Sequence, residues 1–257
     1  MQLKTIYEIL DELAPFVLSQ KYCEEFDHRD NSGVMLDCGG EIEKILFSLD
    51  LSEQAIEEAK KQGANCIVTH HPAIWSGMMR ITEEENREIF ACVREKISVI
   101  SAHLNFDAAV DGIDEWMMRG LGGEEALAYL EAVEGGAYGR VFNVKERAMD
   151  VFTERTKRTF GTRRAVAYGN APVKRVACFC GSGFDEEAIA FARNSGADTI
   201  VSSDGKHHLI KEAVEAGLNV LLLTHYAAEN YGFMRVAEAV SKKVEIPVVT
   251  FTDERFL

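Results

Sequence analysis

Two adjacent histidines, His70 and His71, follow a segment rich in β-branched residues, 65–69, and stand directly before a proline. All of the chain's seven histidines except His28 fall at or just beyond the end of such a strand-like segment. Neutral imidazole and carboxylate are the ligands of borderline divalent metals: zinc, iron, manganese, nickel and cobalt. Because adjacent side chains point in different directions, the pair suits two different ions, or one ion and a supporting role.

A second pattern places a carboxylate four residues after a histidine. Two strand-like segments each end in His-x-x-x-carboxylate, the first in His103 and Asp107 and the second in His225 and Glu229. If the chain turns helical after each strand, residues four apart lie on one face of the helix. The sequence then supplies enough donors for two metal ions, and a carboxylate such as Glu229 can bridge them.

The elements that must position these residues alternate between helix and strand. The segments that read as strands are 43–50, 65–69 and 97–102. Three segments read as helices. The first, 6–17, is ended or kinked by Pro15, and the second, 52–63, is capped by Ser52. The third begins at the capping box of Thr82 and Glu85 and ends at about Lys96. This alternation predicts an α/β fold with mostly parallel sheets.

The second half of the chain repeats the first. Residues 52–69 and 185–202 share a helix-capping residue, a buried helical stripe, a glycine and a buried strand. The first copy leads into the double histidine, and the second leads into another pair at 207–208. We therefore predict duplicated α/β repeats at 1–125 and 126–257, with the ligands at the carboxyl ends of the strands.

The composition is that of a globular protein with a sizeable core, since 47% of the 257 residues are hydrophobic and 27% are charged. No apolar run reaches the length that spans a bilayer, and the first residues lack the profile of a signal peptide. The cysteines form no CxxC pair, so neither a zinc ribbon nor a thioredoxin-like motif is predicted. We expect reduced thiols and a cytoplasmic location.

The formal net charge of −14 argues against nonspecific binding of nucleic acid or membranes by the whole surface. The segment 140–175 differs, because it contains ten Lys or Arg residues and only three Asp or Glu residues. Such a segment is either a basic patch for an anionic substrate or a solvated helix face with ordinary strand ends. The second interpretation is favoured.

A series of segments, in order along nearly the whole chain, resembles the motifs of one family. These segments are DNSG (30–33), THHP (69–72), AHLNFDAAVDGIDEWMMRGLG (102–122), GRVFNV (140–145), CGSG (180–183), SSDGKHH (202–208) and THYAAEN (224–230). They resemble the Nif-three-like family of dinuclear metal proteins, some of whose members are called GTP cyclohydrolase 1 type 2. The chain departs from the family pattern at Thr224, Ala228 and the Asp114–Glu115 pair, none of which is a ligand position.

The resemblance implies a ligand set for two divalent ions, which are Zn, Fe, Mn, Ni or Co. The implied ligands are His70, His71, Asp107, His225 and Glu229, with Glu229 contacting both ions. It also implies two intertwined α/β repeats with the metal site between them, commonly assembled as a homohexameric ring.

By the same resemblance, His103, His207 and His208 line the site without being primary ligands. Here the family pattern and the internal repeat disagree, because the repeat alone makes His103 the equivalent of His225. We adopt the family pattern for the ligands. His103 and Tyr226, both expected near the metals, are then candidates for proton transfer.

Two functional classes remain open. The first is a metal-dependent hydrolase, like GTP cyclohydrolase type 2, that acts through a metal-activated water on a nucleotide or another small anionic heterocycle. The second is a non-catalytic metal-binding protein, either a carrier or a regulatory interaction partner. The hydrolase is favoured, because five ligands do not saturate two ions and no cysteine lies in a ligand motif.

Two residues beside the motifs each have two interpretations. Trp75, just after the double histidine, either stacks on a substrate base or packs near the mouth of the site. Asn31, next to Asp30, either forms a turn or lines the site.

Overall fold

The computed structural model describes residues 1–257 and contains two β-sheets with their accompanying helices. The helices are α1 (Leu3–Leu13), α2 (Val17–Phe26), α3 (Glu53–Gln62), α4 (Arg87–Glu95), α5 (Leu104–Ala108), α6 (Ile113–Leu121), α7 (Met149–Phe160), α8 (Glu186–Asn194), α9 (His207–Glu215) and α10 (His225–Ser241). The strands are β1 (Gly33–Leu36), β2 (Ile45–Ser48), β3 (Cys66–Thr69), β4 (Ser98–Ser101), β5 (Ala128–Val133), β6 (Gly136–Arg147), β7 (Ala165–Tyr168), β8 (Val173–Cys178), β9 (Thr199–Ser202), β10 (Asn219–Leu223) and β11 (Val248–Phe251).

Both sheets are mixed. The first has the strand order β1-β4-β3-β2-β11, in which only the edge strand β1 pairs antiparallel. The second has the order β5-β6-β8-β9-β10-β7; its centre, β8-β9-β10, is parallel and its other pairings are antiparallel. The predicted α/β class is therefore confirmed. The sheets are less parallel than predicted, because the edge strands β1 and β7 and the hairpin β5–β6 add antiparallel pairings to them.

Two compact units divide the chain. The first contains residues 1–110 and 233–253, and the second contains residues 111–232 and 254–257. Neither unit is one continuous segment, because helix α10 begins in the second unit and ends in the first. The predicted boundary at 125/126 separates two repeats of the sequence, whereas these units are defined by contacts in the structure. The repeat boundary therefore stays a prediction.

The repeated helix–strand unit folds as its local sequence dictates. Ser52 accepts a hydrogen bond from the backbone N–H of Ala55, and Gly63 ends α3 in the left-handed conformation. In the second unit Asp185 accepts the equivalent bond from Ala188, and Gly196 has a positive φ after α8. The helices then bury their alanine and isoleucine faces, and the following strands β3 and β9 are fully buried.

Two helix boundaries differ in how well the sequence predicts them. Pro15 ends the first helix rather than kinking it, since α1 stops at Leu13 and α2 begins at Val17. The predicted start of the fourth helix at Thr82 is wrong. Thr82 does accept a bond from the N–H of Glu85, but this closes a turn, and α4 begins only after Asn86.

Three arginines of the basic segment 140–175 form hydrogen bonds or an ion pair within the second unit. Arg155 donates to the carbonyl of Leu121 at 2.7 Å, and Arg164 donates to the carbonyl of Arg255 at 2.8 Å. Arg140 is buried and forms an ion pair with Asp114. These three arginines are therefore engaged by groups of the protein itself, which does not favour the anion-binding patch over the solvated helix face with ordinary strand ends.

The cysteines are all free thiols. Burial raises the pKa of the Cys66 thiol to about 12 and raises the pKa of Cys178 well above its ordinary value. Such thiols stay protonated, so they pack as small apolar groups rather than bind metal. None of the helices combines the length and the hydropathy that crossing a bilayer requires.

Candidate metal centre

The double histidine lies directly beyond the carboxyl end of β3 in the first unit. The backbone N–H groups of His70 and His71 both donate to the carbonyl of Leu49, at 3.1 and 3.0 Å. The hydroxyl of Thr69, the last residue of β3, lies 2.7 Å from the Ser101 hydroxyl and donates to the carbonyl of His71 at 2.9 Å. These bonds hold the backbone of both histidines at the end of adjacent parallel strands.

The orientation of the buried His70 ring follows from its Nδ1 partner. Nδ1 lies 3.0 Å from the carbonyl oxygen of Ala102, which can only accept, so Nδ1 carries the proton. Nε2 then presents its lone pair, and it lies 3.5 Å from Oδ1 of Asp107. Two donors that share one zinc-sized ion lie roughly 3–3.5 Å apart, because each is about 2.0–2.2 Å from the metal. The pair therefore fits one divalent ion.

His71 and His103 are each oriented by a carboxylate. Nδ1 of His71 lies 2.6 Å from Oδ1 of Asp50, and Nδ1 of His103 lies 2.8 Å from Oδ1 of Asp30. An ionised carboxylate can only accept a hydrogen bond, so the Nδ1–H tautomer is selected in both rings. This carboxylate–histidine arrangement is the usual support of metal-ligating imidazoles.

Asp30 is itself held ionised by its neighbours. Burial alone raises the pKa of Asp30, but hydrogen bonds from His103, Ser19 and Ser32 outweigh burial and lower the pKa to about 2. Ser32 also accepts from the backbone N–H of His103 at 2.9 Å. The DNSG segment therefore orients His103, while the Asn31 amide donates to the carbonyl of Ile74.

The first unit therefore brings three imidazoles and a carboxylate together. One nitrogen from each of His70, His71 and His103 lies within 4.8 Å of the others. The His103 ring centroid is 5.0 Å from that of His70 and 5.9 Å from that of His71. This arrangement places His103, which the family pattern excludes from the ligands, in a group that can hold a metal ion.

The second unit places its predicted ligands on the first turn of α10. His225 begins the helix directly after β10, so Glu229 lies on the same face, as the i, i+4 spacing predicted. Nδ1 of His225 lies 2.5 Å from Oδ2 of Asp204, and Nε2 lies 3.0 Å from Oε2 of the buried Glu229. His225 is thus oriented by a carboxylate, as His71 and His103 are in the first unit.

The remaining candidates occupy other positions. His207 and His208 begin helix α9 with exposed side chains, and the groups that can hold a metal do not include them. Tyr226 is buried and its ring packs 6.0 Å from that of Phe256. Trp75 is exposed, with its ring centroid 5.2 Å from that of His103.

A glycine makes room for the Glu229 carboxylate. Gly181 has a φ of +62°, and a Cβ at this position would lie 2.5 Å from Oε1 of Glu229. We expect Gly181→Ala to displace that carboxylate and to weaken metal binding by about 10- to 100-fold, as loss of a supporting contact does. Titration of the metal-free protein with Zn²⁺ or Mn²⁺ measures the effect.

Gly161→Ala is the matched control for this prediction. Gly161 has a φ of +68°, so alanine is strained there as well, but nothing lies within 4 Å of the added Cβ. Both variants are expected to lose similar backbone stability, while only Gly181→Ala loses metal affinity. Equal metal affinities in the two variants would contradict the role assigned to Gly181.

The fold and the oriented side chains define an α/β protein with groups of His, Asp and Glu that can hold metal ions. The model of the family Duf34/NIF3 (NGG1p interacting factor 3) matches residues 1–255, and the chain belongs to this family. The resemblance inferred from the sequence motifs is thereby confirmed.

Individual relatives agree with this assignment. A GTP cyclohydrolase 1 type 2 homolog of Clostridium perfringens is 30% identical over 256 residues, which cover 96% of this chain and 94% of the relative. The fold is similar to that of a Staphylococcus aureus hypothetical protein, with a TM-score of 0.84, 21% identity and coverage of 99% and 97% of the two chains. Reduced HcgD from Methanocaldococcus jannaschii has a TM-score of 0.82 at 25% identity and covers 98% of both chains.

Proposed function

We propose that this protein is a hydrolase that depends on two divalent metal ions. The proposed ligands are His70, His71, Asp107, His225 and Glu229, with Glu229 contacting both ions, and the metals are Zn, Fe, Mn, Ni or Co. The observation that carries the proposal is the hydrogen bonding of the imidazole rings at Nδ1. Every proposed histidine ligand has its Nδ1 fixed by a carbonyl or carboxylate oxygen.

This observation favours metal binding over a structural role. An imidazole whose Nδ1–H is donated to an acceptor directs an unprotonated Nε2 elsewhere, which is the state that a metal requires. The acceptors Asp50 and Asp204 do not ligate under the proposal; they hold the rings in position and increase their basicity. The donor set of imidazole and carboxylate, without thiolate, is closer to catalytic zinc sites than to the cysteine-rich structural sites.

The proposed substrate is a nucleotide or another small anionic heterocycle, and GTP is the first one to test. The C. perfringens relative and several others carry the name GTP cyclohydrolase 1 type 2 homolog. A hydrolase of this kind breaks a carbon–nitrogen bond of the purine ring: the oxygen of water bonds to the ring carbon, and the leaving nitrogen takes the proton. We extend that reaction class to this chain on the basis of family membership and the oriented side chains.

Divalent ions in such a site supply a water whose pKa is lowered toward neutrality and orient it. Within the chain, His103 is the proposed group that moves the proton, because Asp30 holds its Nδ1–H and directs Nε2 away from that bond. Tyr226 is the second proposed proton-transfer residue, since its phenol follows His225 directly and its ring is fixed against Phe256.

An assembly and a location follow from the family resemblance. We propose a homo-oligomer, namely a hexamer, in the cytoplasm, without membrane or nonspecific nucleic-acid binding. The molar mass in solution, from light scattering coupled to size exclusion, tests the assembly.

Metal analysis of the protein purified without added metal or a histidine tag is the decisive experiment. We expect about two divalent ions per chain, and a loss of at least one of them in both His70→Ala and Glu229→Ala. His208→Ala is the matched control, because its exposed imidazole is not a proposed ligand, and it should keep both ions. GTP turnover is then measured with Mn²⁺, Fe²⁺ and Zn²⁺.

Two results would contradict the proposal in different ways. Less than about a tenth of an ion per chain, with no uptake of added metal, would contradict the proposed metal centre itself. Full metal occupancy with no turnover of GTP or of simple phosphoesters would remove the hydrolase and favour the non-catalytic class, a metal carrier or a regulatory interaction partner.

A further inference from the structure

The indole of Trp75 lies beside the imidazole group with much of its surface exposed. The residue is 57% exposed, although its ring centroid is only 5.2 Å from that of His103 and the two planes are nearly perpendicular, at 81°. A tryptophan that serves packing alone buries most of its large apolar area. The single ring contact to His103 therefore does not explain why the chain places an indole here.

The backbone before Trp75 is fixed. The carbonyl of Ile74 accepts a hydrogen bond from the Asn31 amide, which belongs to the same DNSG segment that holds His103 through Asp30. The backbone next to Trp75 and the His103 imidazole are thus held by one segment. An exposed aromatic surface held in place in this way can bind a flat ligand with little loss of side-chain entropy.

We propose that Trp75 is the stacking surface for the planar ring of the substrate, a nucleobase or a heterocycle of similar shape. This inference rests on the proposed function and adds a specificity-determining residue to it. The indole is in edge-to-face contact with His103, the imidazole that we assign to proton transfer, at a centroid distance of 5.2 Å. A ring stacked on Trp75 therefore has its stacking partner in direct contact with that imidazole.

Exposed apolar residues follow Trp75 in the same loop. Met79 is fully exposed, and Ile81 is about half exposed. They offer apolar area but no flat ring and have no ring contact with His103. Stacking of a base is consequently assigned to the indole alone, and Met79 becomes a control position for the experiment.

Fluorescence separates stacking from other binding. The chain contains two tryptophans, so Trp116→Phe leaves Trp75 as the only indole. In this metal-loaded variant we expect saturable quenching by guanosine 5′-monophosphate and none by ribose 5-phosphate, which lacks the base. Equilibrium dialysis of the otherwise unchanged protein should show that Trp75→Ala raises the Kd for guanosine 5′-monophosphate by about 5- to 100-fold.

Two further variants make the assignment specific. Trp75→Phe keeps a flat ring and should retain most of the affinity, whereas Met79→Ala should bind like the unchanged protein. Equal affinity of Trp75→Ala and the unchanged protein would overturn the inference, as would equal quenching by ribose 5-phosphate. A change in molar mass of Trp75→Ala, with unchanged nucleotide affinity, would also overturn it and assign the indole to contacts between copies of the chain.

The binding measurement is independent of turnover. At full metal occupancy, base-dependent quenching of Trp75 without turnover of GTP or of simple phosphoesters would support the stacking surface and contradict the hydrolase proposal. Turnover that survives Trp75→Ala with an unchanged KM would remove the stacking surface and leave the hydrolase proposal intact.

Discussion

Replacement of His103 by alanine is expected to lower the turnover number by about 10²- to 10⁴-fold, the usual contribution of a general acid or base. The physical reason is the bond to Asp30, which keeps the Nδ1–H tautomer and leaves Nε2 able to take a proton from water. The carboxyl group of Asp30 is ionised at any pH above about 2, so the acceptor for the Nδ1–H is present throughout the neutral range. The measurement is kcat on the metal-loaded protein, with metal content determined on the same sample.

The metal content decides between the two roles open to His103. Because the imidazole lies in a group with His70 and His71 that can hold a metal ion, loss of an ion in His103→Ala would make it a ligand. Full turnover with both ions retained would remove it from the mechanism. Asp30→Asn is the companion variant; it should lower kcat and keep the metals, because it disturbs the tautomer of His103 but removes no proposed ligand.

Tyr226→Phe tests the second proton-transfer residue under the same conditions. The substitution removes only the phenolic hydroxyl and keeps the ring that packs against Phe256. A fall in kcat for this variant, with kcat unchanged in His103→Ala, would reverse the assignment.

Asp114→Ala is expected to lower the free energy of unfolding by about 3–5 kcal/mol, the range for loss of one partner of a buried ion pair. Asp114 is fully buried and accepts hydrogen bonds from the Arg140 guanidinium and from the backbone N–H groups of Gly139 and Cys180. Alanine leaves the buried guanidinium without this carboxylate and frees two backbone donors. Chemical unfolding followed by circular dichroism measures the loss.

Two controls identify the cause of that loss. Glu215→Ala breaks the exposed pair with Lys211 in α9, where the two side chains are 64% and 60% exposed, and should cost less than about 1 kcal/mol. The double variant Asp114→Leu with Arg140→Met removes both charges and should recover much of the stability. A loss in Asp114→Ala no larger than that in Glu215→Ala would contradict the assigned role.

Asp114 is also connected by contacts to Glu229, one of the proposed metal ligands of its own unit. Its carboxylate holds the N–H of Cys180, the residue before Gly181, and Gly181 lies against the Glu229 carboxylate.

The amino-acid sequence by itself determined the local elements around the site. Ser52 with Gly63, and Asp185 with Gly196, mark the ends of helices because a capping oxygen and a left-handed glycine act on neighbouring backbone groups. The helical turn after β10 begins in the same way, because the hydroxyl of Thr224 accepts a hydrogen bond from the backbone N–H of Ala227. The shared helix face of His225 and Glu229 is therefore predictable from their spacing alone, as is the position of the double histidine after its strand.

Only the tertiary structure decided which groups orient the imidazoles. Asp30 lies 73 residues before His103, and Asp50 and Asp204 each lie 21 residues before the histidine that they hold. The same is true of the mixed sheets and of the pair between Asp114 and Arg140. A capping residue or a glycine acts through its neighbours in the chain, whereas these contacts exist only after distant strands and loops have packed together, so no local pattern specifies them.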